Sequence, residues 1–271
     1  MIYFCPTPIG NLSDITKRTL EVLNSVDIIA AEDTRVSLKL LNNYNIKKKL
    51  ISYHKFNESS QSDYIIELSK ENDIAIITDA GLPGISDPGE ILIRKLIEED
   101  IEFQVLPGPN AALTALVYSG LSTEHFLFYG FLNSRSSLRK KELLELKPLK
   151  YTLIFYESPH RLKESLEDIY EVFGNRKISI SRELTKFYEE TVRGELSQIL
   201  DNIESIKLKG EFVIVVEGKQ EEDINFNISE LLREKLKEGM KKSQAVKEIS
   251  KEYGISKNEV YKISLEVDED D

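Results

Sequence analysis

Short apolar runs, each followed by a polar or glycine-bearing turn and then an amphipathic stretch, recur along roughly the first 110 residues. Tyr3–Cys5, Asp27–Ala31, Leu50–Tyr53, Ile74–Thr78 and Phe103–Leu106 read as strands. The run Ile74-Ala75-Ile76-Ile77 is apolar without alternation, the mark of a strand buried on both faces of a parallel sheet. Ile15, Leu20, Val22, Leu23 and Val26 form a helical stripe, with Ser13 or Asp14 as the expected cap. Beyond Pro107-Gly108-Pro109-Asn110, which opens a helix of small residues, the strands are Phe126–Gly130, Tyr151–Tyr156, Lys177–Ser181 and Phe212–Val216. Leu162, Leu166, Ile169, Tyr170 and Phe173 repeat at helical spacing, and Leu196, Ile199, Leu200 and Ile203 do the same. Strand and helix patterns in alternation predict an α/β fold.

The expected division is an N-terminal α/β domain over residues 1–117 and a second α/β domain over 118–220, with a cleft between them. Polar Gln220–Asp223 then reads as a linker. In the module 228–263, one helix is expected to end at Gly254, and Ser256 to cap another through Val260 and Ile263. That spacing fits a helix-turn-helix and equally a plain αα-hairpin docked on the body. Residues 264–271 form an acidic tail.

Charge sharpens this division. The chain of 271 residues has a formal net charge of −11, which argues superficially against a nucleic-acid partner. Its distribution is uneven, with −5 in the tail, +3 over 228–263 and −9 over 1–227. A small basic module thus accompanies an acidic body. One cysteine excludes an intramolecular disulfide, and the start Met1–Pro6 lacks the basic leader of a signal peptide. No apolar run reaches membrane-spanning length, so the expected location is cytoplasmic.

The most informative stretch is Thr78–Gly89, which follows the buried strand and holds three glycines and two prolines in twelve residues. A loop of imposed shape bearing carboxylates at the carboxyl end of a parallel strand is where open α/β sheets bind ligands. The G-x-G-x-x-G spacing is absent from the first turn, Pro8-Ile9-Gly10-Asn11-Leu12, and no P-loop occurs. Dinucleotide-dependent dehydrogenases and common Rossmann-type methyltransferases are thereby excluded. His54, His125 and His160 lack metal-ligand spacing, and Ser158 lacks the context of a nucleophile elbow.

Several segments together carry a resemblance: Thr7–Thr16, Ala31–Arg35, Ser52-Tyr53-His54 with Asn57, Asp79–Gly89 and Pro107–Ala111. They are followed by Gly130-Phe131-Leu132, Phe155–Leu162, Arg182–Lys186 and Gly210–Val213. In this order, over roughly 210 residues, the chain resembles the tetrapyrrole methylase superfamily, and within it the ribosomal RNA small subunit methyltransferase I family. Thr78 stands where that family usually has Ser, and Asn133 where it usually has Pro; the second change falls on a substrate-facing loop.

The resemblance implies a two-domain tetrapyrrole-methylase-like α/β fold with an inter-domain cleft, plus the small C-terminal helical module. It implies S-adenosyl-L-methionine in the cleft, a homodimer, and 2′-O-methylation of a cytidine ribose in the decoding region of 16S rRNA, within the small ribosomal subunit. The implied donor-binding residues are Pro8, Ala80, Gly81, Leu82, Ile85, Asn110, Ala111, Tyr156, Glu157, Glu211 and Phe212. A sulfonium also wants carboxylates, which Asp79 or Asp87 can supply, although Asp87 equally suits a cap on the helix beginning near Pro88. A ribose hydroxyl is a poor nucleophile and calls for a base, for which Glu32, Asp33, His54, Asp87, His160 and Glu183 are candidates.

Arg35, Arg161, Arg182 and Lys186 suit RNA phosphates, as do Lys241, Lys242 and Lys257 of the basic module. For the clusters Glu32–Arg35 and Arg182–Lys186 a structural ion-pair network is the competing reading. Two other functions fit less well: methylation of a tetrapyrrole or other small molecule, and a ligand-sensing helix-turn-helix regulator. No metal is expected.

Overall fold

The structure is a computed structural model and describes residues 1–220, 228–253, 256–265 and 267. Two compact units divide the chain, Met1–Lys219 and Gln220–Asp271. The larger unit holds two five-stranded sheets. No helix among the described residues is long and apolar enough to cross a membrane.

The first sheet consists of β1 (Ile2–Phe4), β2 (Ile28–Ala31), β3 (Lys49–Ser52), β4 (Ile74–Ile77) and β5 (Phe103–Val105), in the order β3-β2-β4-β1-β5. All its pairings are parallel. The unalternating run in β4 is explained by the two layers around it. Ile74 and Ile76 pack with Phe4, Tyr53, Ile65 and Leu92 beneath α3 (Glu58–Ser69) and α4 (Glu90–Glu98). Ala75 and Ile77 pack on the opposite side with Leu23, Ile29 and Leu41, against α1 (Lys17–Ser25) and α2 (Thr34–Asn43). All the strands' carboxyl ends, and the loops they carry, therefore emerge along one edge.

The expected cap of α1 is corrected. Thr16 caps it, accepting from the Thr19 N–H at 3.0 Å, whereas Ser13 and Asp14 belong to a short 3-10 turn capped by Asn11. A capping residue must sit immediately before the first helical turn, and the Leu12–Asp14 turn moves that point downstream.

The second sheet orders β6 (Phe126–Phe131), β7 (Thr152–Glu157), β8 (Lys177–Arg182), β9 (Glu190–Glu195) and β10 (Phe212–Val216) as β6-β7-β10-β8-β9. Only β6 and β7 run parallel; the other pairs are antiparallel. One face carries α6 (Ser136–Leu146), α7 (Leu162–Phe173) and α8 (Leu196–Asp201) over Leu153, Phe155, Ile178, Ile180 and Ile214. The other face receives α5 (Ala111–Ser119), whose Ala112, Ala115 and Leu116 pack on Ile154, Val213 and Val215. Thus α5, placed mostly with the first half by a division at 117/118, lies on the second sheet. Ile9 of the first half packs into the same cluster, so the two sheets share a seam.

The C-terminal unit has three described helices, α9 (Ile228–Lys237), α10 (Lys242–Tyr253) and α11 (Lys257–Ser264). They surround a core of their own formed by Leu232, Ala245, Val246, Ile249, Val260 and Val267. Ser256 caps α11 as expected, accepting from the Glu259 N–H at 3.2 Å. Of the positions assigned to the acidic tail, Ser264 is helical and Val267 is buried, with its carbonyl accepting from Lys242 Nζ at 2.9 Å. Linker residues 221–223, the helix end at Gly254 and the acidic positions 266 and 268–271 lie outside the described residues.

Candidate functional site

A cavity of about 460 Å³ opens where the strand-end loops of the first sheet meet β7, β10 and the loop after β8. Its shape depends on the loop 79–89. Thr7 and Gly81 exchange backbone hydrogen bonds, Thr7 N–H to Gly81 O at 2.8 Å and Gly81 N–H to Thr7 O at 3.0 Å. Gly81 has a φ of 83°, a conformation that costs a side-chain-bearing residue. Opposite, a Cβ on Gly10 would lie 2.5 Å from the Leu184 carbonyl oxygen, so only glycine lets the 7–12 turn approach the loop after β8.

The far end of the loop is held by a residue the sequence did not point to. Glu58 is buried, and its Oε1 accepts from the Gly89 N–H at 2.8 Å, the Ile91 N–H at 3.1 Å and the Tyr53 hydroxyl at 3.2 Å. A carboxylate from α3 thereby satisfies the amino end of α4, whose first residues have unpaired donors and a positive dipole end. The expected cap at Asp87 is corrected on this ground: α4 begins after Gly89, and Asp87 lines the cavity.

Carboxylates dominate the lining. Glu32, Asp79, Asp87, Glu183 and Glu211 face the cavity with one cation, Lys186, whose Nζ is 2.9 Å from Glu183 Oε1. Burial pushes Asp87 up to about 7, with the charges of Glu32, Glu211 and Asp79 adding to the rise. The Thr78 hydroxyl opposes it from nearby, short of full hydrogen-bond geometry. Burial also raises Glu32 and Asp79 above their ordinary range. These two tie β2 to β4: the Asp33 N–H donates to Asp79 at 3.2 Å, and the Asp79 N–H donates to Glu32 at 3.4 Å. Partly desolvated carboxylates crowded together disfavour one another's charge, and a bound cation relieves that strain. The fit is to a cationic ligand with an apolar part, since Leu82, Ile85, Ala111, Phe131 and Leu184 complete the walls.

The residues expected to hold the donor gather here, apart from Pro8 and Glu157. Pro8 lines an adjoining cavity. Glu157 is buried on the other face of β7, because strand alternation sends Tyr156 to the cleft and its neighbour away. Its carboxylate accepts from the Ser158 N–H and the Ser165 hydroxyl, and Arg161 Nη2 lies 2.7 Å away. Asn110 faces the cleft while its side-chain oxygen caps α5 through the Leu113 N–H at 3.0 Å. Burial pushes the Tyr156 phenol up to about 12, so it is neutral and presents an apolar ring.

The other candidates divide in the same way. Asp33 caps α2 and binds Arg35, with Oδ2 to Nη2 at 2.6 Å, which holds its carboxyl well below the usual range. It lies outside the cleft lining. His54 lies near Glu32, and its buried Nδ1 has no hydrogen-bond partner. His160 is exposed and outside the cleft lining. Arg182 is buried and pairs with Glu190 at 2.6 Å, and Arg161 pairs with Glu157 at 2.7 Å, so both side chains are engaged in ion pairs within the chain, the competing reading for Arg182. Arg35 is exposed beyond its pairing with Asp33. Lys241 and Lys257 are exposed, whereas Lys242 is half-buried against Val267.

Residues 1–200 match the family model described as Tetrapyrrole (Corrin/Porphyrin) Methylases. A protein of Bacillus subtilis named Ribosomal RNA small subunit methyltransferase I is 43% identical over 270 residues, covering 96% of this chain and 92% of that protein. One of the same name from Synechocystis is 38% identical and covers 100% of this chain and 99% of its own length. Among solved structures, a diphthine synthase superposes with a TM-score of 0.62 at 12% identity, covering 83% of this chain and 93% of that one. The uroporphyrin-III-C-methyltransferase of Thermus thermophilus gives 0.57 at 19%, covering 79% and 93%. At such identities these two structures speak for the fold alone. On the family match and the near-complete alignment with these relatives, the chain belongs to the tetrapyrrole (corrin/porphyrin) methylase family, in its ribosomal RNA small subunit methyltransferase I branch, and takes S-adenosyl-L-methionine as methyl donor.

Proposed function

We propose that this chain methylates small-subunit rRNA at the 2′-oxygen of a cytidine ribose in the decoding region, with the donor held in the carboxylate-lined cleft. The observation that carries the reading is the cleft's charge: five carboxylates against one lysine, around a volume that suits a nucleoside-sized cation. The acceptor class is supported by the names of relatives that align over 96% and 100% of this chain, C-terminal helices included.

S-Adenosylmethionine held there would supply an electrophilic methyl group to the acceptor oxygen, its carbon–sulfur bonding pair staying on a neutral thioether, while the hydroxyl proton would pass to a base. The protein's own part is positioning and charge. The loop 80–82, Asn110, Ala111, Tyr156 and Glu211–Val213, which line the cleft, would hold the adenosine and amino-acid parts. Asp87 supplies the negative charge against the sulfonium. Glu32, Asp79 and Asp87, each raised above the ordinary carboxylate value chiefly by burial, are the carboxylates in the cleft that can accept that proton. Asp33 and Glu183 are engaged by Arg35 and Lys186.

The basic C-terminal unit, with Lys241 and Lys257 exposed, engages RNA phosphates. The expected homodimer belongs to the same proposal; the outer face of α5 exposes Leu113, Val117 and Tyr118 for a second copy. Incubating the purified protein with labelled donor and unmethylated small subunits tests the reading. Label recovered as 2′-O-methylcytidine supports it. Transfer to a tetrapyrrole precursor and not to rRNA refutes it.

A further inference from the structure

Beside the donor cleft lies a second cavity of about 410 Å³ that no part of the reading above uses. It is bounded by the 7–12 turn, by the outer part of α2 and by the end of β4. The two cavities share Ile9, Asp79, Ala80 and Lys186, which line both. Its remaining wall mixes apolar Pro8, Leu12, Val36 and Leu40 with polar Lys39 and Asn43.

One hydroxyl on this wall sets it apart from an ordinary surface dent. Ser37 is 2% exposed and lines the cavity. Its Oγ is buried with no hydrogen-bond partner, whereas the Thr78 hydroxyl on the same wall is turned toward Asp87. Buried polar atoms are nearly always paired, so the orphan calls for a partner that arrives from outside. A hydroxyl both donates and accepts, which suits a ligand carrying sugar hydroxyls or the amino and carbonyl edge of a base. The apolar strip gives a base a surface to lie on, and Lys39 and Lys186 give flanking phosphates a positive field.

We propose that this second cavity is the acceptor site, taking the target nucleotide of a single-stranded RNA segment with its ribose toward the wall shared with the donor cleft. The inference rests on the proposed RNA methylation and deepens it. Asp79 stands on the shared wall, with one oxygen held by the Asp33 N–H. Its carboxylate is placed between donor and acceptor, where it takes the proton of the 2′-hydroxyl as the oxygen–carbon bond forms. Ser37 positions the nucleotide by a hydrogen bond.

Val36 is exposed, so Val36→Trp fills the cavity from its rim without disturbing the core. Expected with unmethylated small subunits is a loss of at least about tenfold in kcat/KM, with donor affinity by calorimetry unchanged. Ser37→Ala should raise KM for the RNA, and Asp79→Asn should lower kcat, measured at saturating donor, at near-constant RNA KM. Binding of a short cytidine-containing oligoribonucleotide, measured with S-adenosylhomocysteine present, should weaken in Val36→Trp. If wild type methylates small subunits and Val36→Trp matches it in both rate and oligonucleotide binding, the cavity is not the acceptor site. If wild type methylates no rRNA, the reading on which the site rests falls, and the site with it.

Discussion

Asp87 offers the sharpest test of how the cleft works, because its carboxyl is pushed to about 7 by burial and by neighbouring carboxylates. A carboxyl with that pKa is ionised in about one molecule in eleven at pH 6 and about ten in eleven at pH 8. Only the ionised form opposes a sulfonium charge. Affinity for S-adenosylmethionine should therefore rise about tenfold between pH 6 and pH 8, or ~1.4 kcal/mol. S-Adenosylhomocysteine shares the adenosine and amino-acid parts but carries a neutral sulfur, so the ratio of the two affinities isolates the sulfonium. Calorimetric titration of both ligands at the two pH values should show that ratio rising with pH in wild type and flat in Asp87→Asn.

The same substitution has a stability consequence of opposite sense. A carboxyl whose folded pKa exceeds its unfolded value favours folding below the unfolded pKa, and that contribution is lost as pH rises through about 7. Discounted for partial exposure, the ionised Asp87 costs about 2 kcal/mol at pH 8. Asp87→Asn should thus melt several degrees higher than wild type at pH 8 and with no such gain at pH 4. A pH-independent affinity ratio in wild type, or a pH-dependent one in Asp87→Asn, would refute the assignment of Asp87 to the sulfonium.

Three further outcomes follow from the same geometry. Glu58→Ala leaves the Gly89 and Ile91 N–H groups and the Tyr53 hydroxyl without their acceptor; it should cost about 2–4 kcal/mol in denaturant unfolding and weaken donor binding through the loop 79–89. Arg182→Ala removes a buried partner of Glu190 and should destabilise by about 2–3 kcal/mol, while the salt dependence of rRNA binding stays as in wild type. Lys241→Glu with Lys257→Glu, both exposed on the C-terminal unit, should weaken rRNA binding and flatten its salt slope at constant donor affinity, as filter binding across a salt series can read.

The inner strands of both sheets were legible because burial on two faces leaves its mark in sequence: β4 and β10 are apolar throughout. The run Glu190–Glu195 was not, since β9 is an edge strand with a single branched aliphatic residue, Val192, held by the Arg182–Glu190 pair and by Ser181 against Thr191 at 2.9 Å. Donor-cleft residues were legible as a motif, but not the direction in which each points. Glu157 and Tyr156 differ by one strand position and so face opposite sides.

Glu58 shows the deeper limit. It caps a helix 31 residues ahead in the chain, and no local pattern announces a cap supplied from another element. Asp87 was assigned two roles by sequence because only the folded position of Glu58 decides between them. The orphaned hydroxyl of Ser37 is likewise a property of packing, with no signature in composition or spacing.

The central claim is ribose methylation of small-subunit rRNA, and mass mapping of 16S rRNA from cells with and without this gene tests it most directly. The account predicts that one methyl group on the ribose of a decoding-region cytidine disappears with the gene and returns when purified protein and S-adenosylmethionine are added to the mutant subunits. An unchanged map, or a missing methyl group that resides on a base, contradicts it.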